Sequence, residues 1–240
     1  MSDLSFDSYN DLRSLHDFFS KWRDYRPSLP LISDPSTEQI RSNLGYLPIK
    51  LKTSIPYNDM LKEAAALREF YVYHRASGDH RGWRSICVHG ISTVHTANHD
   101  RYGFINPELA PYDWTDISKF CPITTEFFRD TFGYDSYERI RFMLLEPGGY
   151  ILPHADVQHK KLSPINIALS NPIGCEFVME DWGTVPFEPG SINMLAVGNT
   201  HAVYNSSNED RFHVIVHGVR GDAWYRNIID SYQTLISINV

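Results

Sequence analysis

The chain has 240 residues, a formal net charge of −7 and a composition that is 42% hydrophobic and 13% aromatic, which suffices for one substantial core but is small for two independent ones. Its acidic balance gives no general attraction to phosphate backbones or anionic bilayers, so neither nucleic acid nor membrane is an expected partner. The opening MSDLSFDSYN lacks the basic-then-apolar order of a secretory leader and no apolar run approaches bilayer length, so a cytoplasmic protein is expected.

In chain order, Leu12, Leu15, Phe18, Phe19 and Trp22 recur at helical spacing between Ser8 and Pro27, predicting an amphipathic helix over 9–25. A loop-rich connection follows from Pro30 to Pro56. Met60, Ala64, Leu67 and Tyr71 then repeat every three or four residues, predicting a second helix over 59–74 that stops before Gly78. From Trp83 the apolar period becomes two, with strands expected at 83–89, 138–145, 164–170, 175–179, 191–197 and 211–217. Helices are expected over 122–132 and in the tail after Trp224. Short strands with turn punctuation after a helical layer predict a mainly β fold, a sandwich or jelly roll with flanking helices. The expected organisation is one domain, with an N-terminal helical layer over 1–80, a β core over 81–220 and a tail over 221–240. Cys87, Cys121 and Cys175 are widely separated and show no CxxC spacing, so they read as free, mostly buried thiols.

The segment LEPGGYILPHADVQH carries the first chemical signal. Its Pro147-Gly148-Gly149 turn is expected to end one strand and lead into His154-Ala155-Asp156, where residues i and i+2 on extended backbone point the same way and can share one ion. His201, in VGNTHAVYN, is placed at the end of the strand predicted over 191–197 and supplies a second imidazole. Two histidines and one carboxylate make the facial set that binds non-haem Fe(II) and leaves an open face for a chelating 2-oxo acid and for O2. HxD alone is a weak signal; the downstream spacing adds weight. Arg211 opens the strand RFHVIVHG, whose alternation puts Arg211, His213, Ile215 and His217 on one face. A guanidinium aimed into a barrel needs an anion, and its planar fork matches the distal carboxylate of 2-oxoglutarate. A structural ion pair with Glu209 or Asp210 is the alternative. His213 divides evenly between co-substrate neighbour and core histidine.

With PGGYILPHAD, Trp182-Gly183, FEPGSINML and HAVYNSSNEDRFHVIV on view, residues 139–218 resemble the aspartyl/asparaginyl β-hydroxylase family of Fe(II)- and 2-oxoglutarate-dependent oxygenases, which includes small bacterial amino-acid hydroxylases such as proline cis-4-hydroxylase. The resemblance implies a double-stranded β-helix core, iron on His154, Asp156 and His201, and 2-oxoglutarate on Arg211. Two departures matter. Animal peptide hydroxylases of the family lack the carboxylate ligand, so Asp156 aligns the chain with the free-amino-acid branch. Where relatives place Arg or His to help hold the co-substrate, this chain has Pro164-Ile165-Asn166-Ile167-Ala168, and Asn166 is the expected replacement.

The implied activity is hydroxylation of an unactivated C–H bond in a small-molecule substrate, a small amino acid or related metabolite, with release of succinate and CO2. Desaturation and cyclisation use the same oxidant. Rival readings are a peptidyl Asp/Asn hydroxylase, a zinc hydrolase on the same triad, and a non-catalytic barrel that holds a metal and binds a small acid. Arg84, Lys160 and Lys161 are candidate partners for a substrate carboxylate and Trp83 a candidate pocket wall, with a packing role for Trp83 equally expected. Residues 95–102 are a candidate lid.

Overall fold

Side-chain alternation along the strands sorts the apolar residues onto the two faces of one curled antiparallel sheet. The computed structural model describes residues 6–75, 78–94 and 99–239. Its elements run α1 (Phe6–Trp22), α2 (Thr37–Asn43), β1 (Tyr46–Pro48), α3 (Tyr57–Ala66), β2 (Val72–Tyr73), β3 (His80–Gly90), β4 (Asp113–Trp114), α4 (Pro122–Glu126), β5 (Tyr134–His154), β6 (Ile165–Ala168), β7 (Cys175–Met179), β8 (Gly183–Thr184), β9 (Ile192–Leu195), β10 (His201–Asn205), β11 (Arg211–Arg220) and α5 (Asp222–Asn239). The ladder order is β1-β9-β6-β11-β5-β10-β7-β8, with β3 paired to β5 and both β2 and β4 paired to β3.

β5 joins the two halves of the sheet. Its first part lies beside β11, pairing Leu145 with Arg211, and its last part lies beside β10, pairing His154 with His201. One face of the sheet carries Ile86, Val88, Phe142, Leu144, Val214 and Val216, which pack with Ile40, Met60, Ala64, Trp224 and Ile228 of the covering helices. The opposite face carries Trp83, Met143, Leu145, Phe177, Met179, Leu195 and Val203, which line the interior of the curl. Leu15 and Phe19 of α1 cover the outside of the other half, over Tyr150, Val178 and Ala202. This is the mainly β, helix-flanked double-stranded β-helix expected from the sequence.

Local differences have physical causes. The helix expected to reach residue 74 ends at Ala66. Tyr71 is still buried, donating from its hydroxyl to the Ala64 carbonyl at 3.2 Å, but its neighbours Val72 and Tyr73 pair with Ser85 and Arg84 as β2. A helical repeat had continued by coincidence into a strand. The connection 30–56 contains α2 and β1; α2 is announced by Ser36 and Gln39, which form a reciprocal capping box. The Pro147-Gly148-Gly149 turn does not end a strand. The strand runs on to His154, and residues 146–149 bulge opposite Gly82, between the Trp83–Leu145 and Arg81–Tyr150 pairs. Gly148 has φ +67°, and a Cβ on Gly149 would lie 2.7 Å from the Glu146 carbonyl oxygen, so the bulge requires glycine. His201 opens a strand of its own, β10, rather than closing the one before it. No helix among the described residues is long and apolar enough to cross a membrane.

Candidate active site

The pairing of β5 with β10 sets His154 directly across from His201, with ring centroids 4.4 Å apart. Each imidazole is oriented by the main chain: His154 Nδ1–H donates to the Leu152 carbonyl at 2.8 Å and His201 Nδ1–H to the Asn199 carbonyl at 2.9 Å. A carbonyl only accepts, so both protons sit on Nδ1 and both Nε2 lone pairs remain for another partner. His201 also stacks on Phe177, centroids 5.2 Å apart. Asp156 lies just past the strand end, where its N–H donates to the Val197 carbonyl at 2.9 Å. One ligand atom from each of His154, Asp156 and His201 lies within 4.8 Å of the others.

The electrostatics suit a cation. Burial pushes His201 down to about 4, which keeps it neutral at pH 7. Burial would raise Asp156, but the adjacent imidazoles of His154, 3.4 Å away, and His201, with the hydrogen bond from Arg75, outweigh it and hold the carboxyl well below the usual range. His154 Nε2 is buried and has no hydrogen-bond partner among the described residues. Two bare imidazole nitrogens and an ionised carboxylate converging on one point match the donor set of Fe(II) in non-haem sites.

These three residues line a cavity of about 770 Å³ together with Arg211, His213, Asn166 and Trp83. Arg211 is 2% exposed, and its guanidinium lies 4.7 Å from the centre of the Phe187 ring. No carboxylate among the described residues forms an ion pair with it; Asp210, an alternative partner on sequence grounds, is taken by Arg68 at 2.5 Å. Burial pulls the Arg211 pKa below its ordinary value. His213 is likewise buried, which holds it neutral, and its Nδ1 lacks a partner among the described residues. Asn166 faces the cavity from β6, paired with Ile215.

The other candidates divide. Trp83 lines the cavity, its ring 4.2 Å from that of His74. Arg84, the next residue on an extended strand, must point to the opposite face. There it donates to Glu146 at 2.8 Å and packs on the ring of Tyr73; Tyr73 lines the cavity and Arg84 does not. Lys161 pairs with Glu38 and Lys160 is exposed, neither of them lining the cavity. Of the candidate lid, residues 95–98 lie outside the described residues; His99–Tyr102 form a single 3-10 turn that brings Asp100 and Arg101 to the cavity.

Sequence reasoning missed several cavity residues. Arg75 donates to Asp156 at 2.6 Å, across a separation that only tertiary folding closes. Arg139 and Arg141 face inward from β5, and their alternation with Met143 was a readable signal. His217, which alternation had already placed on the face of Arg211, accepts from Arg141 Nη2 at 3.2 Å.

The model of the aspartyl/asparaginyl beta-hydroxylase family matches residues 57–220. No curated protein sequence matches the chain. Among solved structures, a Pseudomonas putida prolyl-4-hydroxylase is similar over 74% of this chain and 94% of its own, with 14% identity and a TM-score of 0.41. A Trichoplax adhaerens prolyl hydroxylase in complex with a hypoxia inducible factor peptide is similar over 94% of this chain and 96% of its own, with 10% identity and a TM-score of 0.46. The carbocyclase SnoK of nogalamycin biosynthesis is similar over 84% and 93%, with 15% identity and a TM-score of 0.43. At such scores these likenesses add nothing to the family match, which spans more than half of the chain. The chain belongs to the aspartyl/asparaginyl β-hydroxylase family and is an enzyme of the 2-oxoglutarate-dependent oxygenase class.

Proposed function

We propose that this enzyme hydroxylates an unactivated C–H bond of a small amino acid or related metabolite, with Fe(II) held by His154, Asp156 and His201 and 2-oxoglutarate anchored by Arg211. The observation that carries this reading is the buried Arg211, with no carboxylate partner among the described residues, in the same cavity as the three convergent ligand groups. A zinc hydrolase would need the triad but has no use for a buried guanidinium. A binding barrel would need neither ionised Asp156 nor an open coordination face.

Iron, when bound with 2-oxoglutarate and O2, supplies the oxidant, and the co-substrate leaves as succinate and CO2. The protein's own groups do the rest. The Leu152 and Asn199 carbonyls hold both imidazoles in the ligating tautomer. Arg75 keeps Asp156 ionised and aligned. Arg211 fixes the far end of the co-substrate by a two-point contact, with neutral His213 and Asn166 as hydrogen-bonding neighbours. Trp83, Phe177 and Val203 exclude water around the reacting bond. Anaerobic reconstitution with Fe(II), followed by oxygen and a panel of small metabolites, tests the reading through substrate-stimulated succinate release. Metal-dependent hydrolysis without succinate would overturn it.

A further inference from the structure

The two oxygens of the Asp156 carboxylate stand in different surroundings. Arg75 Nη2 donates to Oδ1 at 2.6 Å, and His154 Nε2 lies 3.4 Å from that same oxygen. His154 carries its proton on Nδ1, toward the Leu152 carbonyl, so Arg75 is the donor that engages Oδ1. Oδ2 accepts no hydrogen bond among the described residues and lies 3.9 Å from His201 Nε2.

An exposed ion pair by itself holds a side chain weakly, because water screens it and both partners move. The Arg75 and Asp156 side chains are 38% and 28% exposed, so this geometry needs a second support. Trp83 supplies it. The Arg75 guanidinium lies 5.3 Å from the centre of the Trp83 ring, which is buried against the rings of His74 and His80 at 4.2 and 5.5 Å. Attraction to the face of a ring that cannot turn away keeps the guanidinium beside the carboxylate.

On the proposed function, which this inference deepens and on which it rests, the asymmetry decides how many positions of the metal the protein fills. A carboxylate binds a cation through one oxygen or through both. An ion on Oδ1 would meet a guanidinium charge at close range and compete for an oxygen already engaged in a charge-assisted hydrogen bond. An ion on Oδ2 meets the bare Nε2 of His201 instead. An octahedral ion held by His154, His201 and one carboxylate oxygen keeps three open positions, two for the 2-oxo acid and one for O2. A second oxygen from Asp156 would fill the last of them.

We propose that Arg75, braced by Trp83, is a positioning residue that withholds Asp156 Oδ1 from the metal, so that Asp156 ligates through Oδ2 alone and one position stays open beside the bound co-substrate.

The test counts the exchangeable waters on Mn(II) bound to the full chain, by water-proton relaxation, before and after saturation with 2-oxoglutarate. Protein is kept in excess over Mn(II) at a concentration that binds all of the metal, so a weaker affinity in a variant does not enter the count. In the wild type, 2-oxoglutarate should reduce the inner-sphere relaxation to about one third, as three waters become one. Arg75→Met should start from two waters and lose both, and its Fe(II) form with 2-oxoglutarate should bind nitric oxide, a stand-in for O2, at least tenfold more weakly by electron paramagnetic resonance. Arg75→Lys should keep the wild-type count, because an ammonium can still engage Oδ1. A purely structural role for Arg75 would change none of these counts per bound metal. The proposal is overturned by a wild type that keeps no water beside 2-oxoglutarate, or by an Arg75→Met protein with the wild-type count and nitric oxide affinity. If Arg75→Met fails to fold, Arg75→Gln, which keeps a polar side chain at this half-exposed position, is read in its place with the same two outcomes. Failure of the wild type to bind Mn(II) or 2-oxoglutarate at all counts against the proposed function instead.

Discussion

Replacing Arg211 by methionine should separate the cost of the guanidinium in the empty protein from its use in the loaded one. In the absence of co-substrate, Arg211 is a 2% exposed cation with an aromatic ring beneath it and no carboxylate ion pair among the described residues. Desolvation of such a charge is unfavourable, and an apolar side chain of similar length is expected to leave the metal-loaded, co-substrate-free protein no less stable, and even to stabilise it. With 2-oxoglutarate the sign reverses. A ligand at about 100 times its Kd stabilises the folded state by about 2.7 kcal/mol. At about 2–4 °C per kcal/mol for a chain of this size, the wild-type melting temperature should rise by about 5–11 °C. Losing a charge-assisted two-point contact costs about 2 kcal/mol, which raises Kd about 30-fold and leaves a rise of about 2–3 °C at the same concentration. Differential scanning fluorimetry of Mn(II)-loaded wild type and Arg211→Met, with and without 2-oxoglutarate, reads both quantities. A variant that melts several degrees lower without co-substrate yet keeps the full 2-oxoglutarate shift would show that Arg211 is structural and that the anchor lies elsewhere.

His154→Ala and His201→Ala should each abolish most of the expected one-per-chain iron binding in anaerobic metal analysis, since each removes one of three ligands; full stoichiometry in either would displace the site. Arg75→Ala should weaken Fe(II) binding about 10–100-fold, the usual effect of removing a group that orients a ligand; an unchanged or tighter metal titration would show that Arg75 competes with the ion instead. Gly198→Ala would put a Cβ 2.0 Å from the His159 carbonyl oxygen. The clash should destabilise the protein by about 1–3 kcal/mol in urea unfolding, and an unchanged midpoint would mean that the 157–163 loop yields freely.

Strand alternation and the HxD spacing were legible because they are local. Side chains two apart on extended backbone share a face in any sheet, so His154 with Asp156, and Arg211 with His213 and His217, could be grouped from residue order alone. The same rule could have picked out Arg139 and Arg141 on one face and turned Arg84 away from Trp83. The capping box of α2 was equally local, readable from Ser36 and Gln39. The end of α3 was not, because Tyr71 keeps the helical period while Val72 is captured by Ser85 of β3, a partner remote in sequence. Whether the Pro147-Gly148-Gly149 turn ended a strand or bulged it depended in the same way on β3 running past both sides.

Residue types and their short-range order therefore pointed to a mainly β fold with flanking helices, to a candidate metal-ligand set and to the strand that carries Arg211, since these follow from backbone periodicity and donor chemistry. Tertiary structure alone decided that Arg75 meets Asp156, that Asp210 goes to Arg68 and leaves Arg211 without a carboxylate among the described residues, and that five arginines line one cavity. Such pairings are set by which strands curl together, and a charge has no preferred partner until burial removes the water that would otherwise screen it.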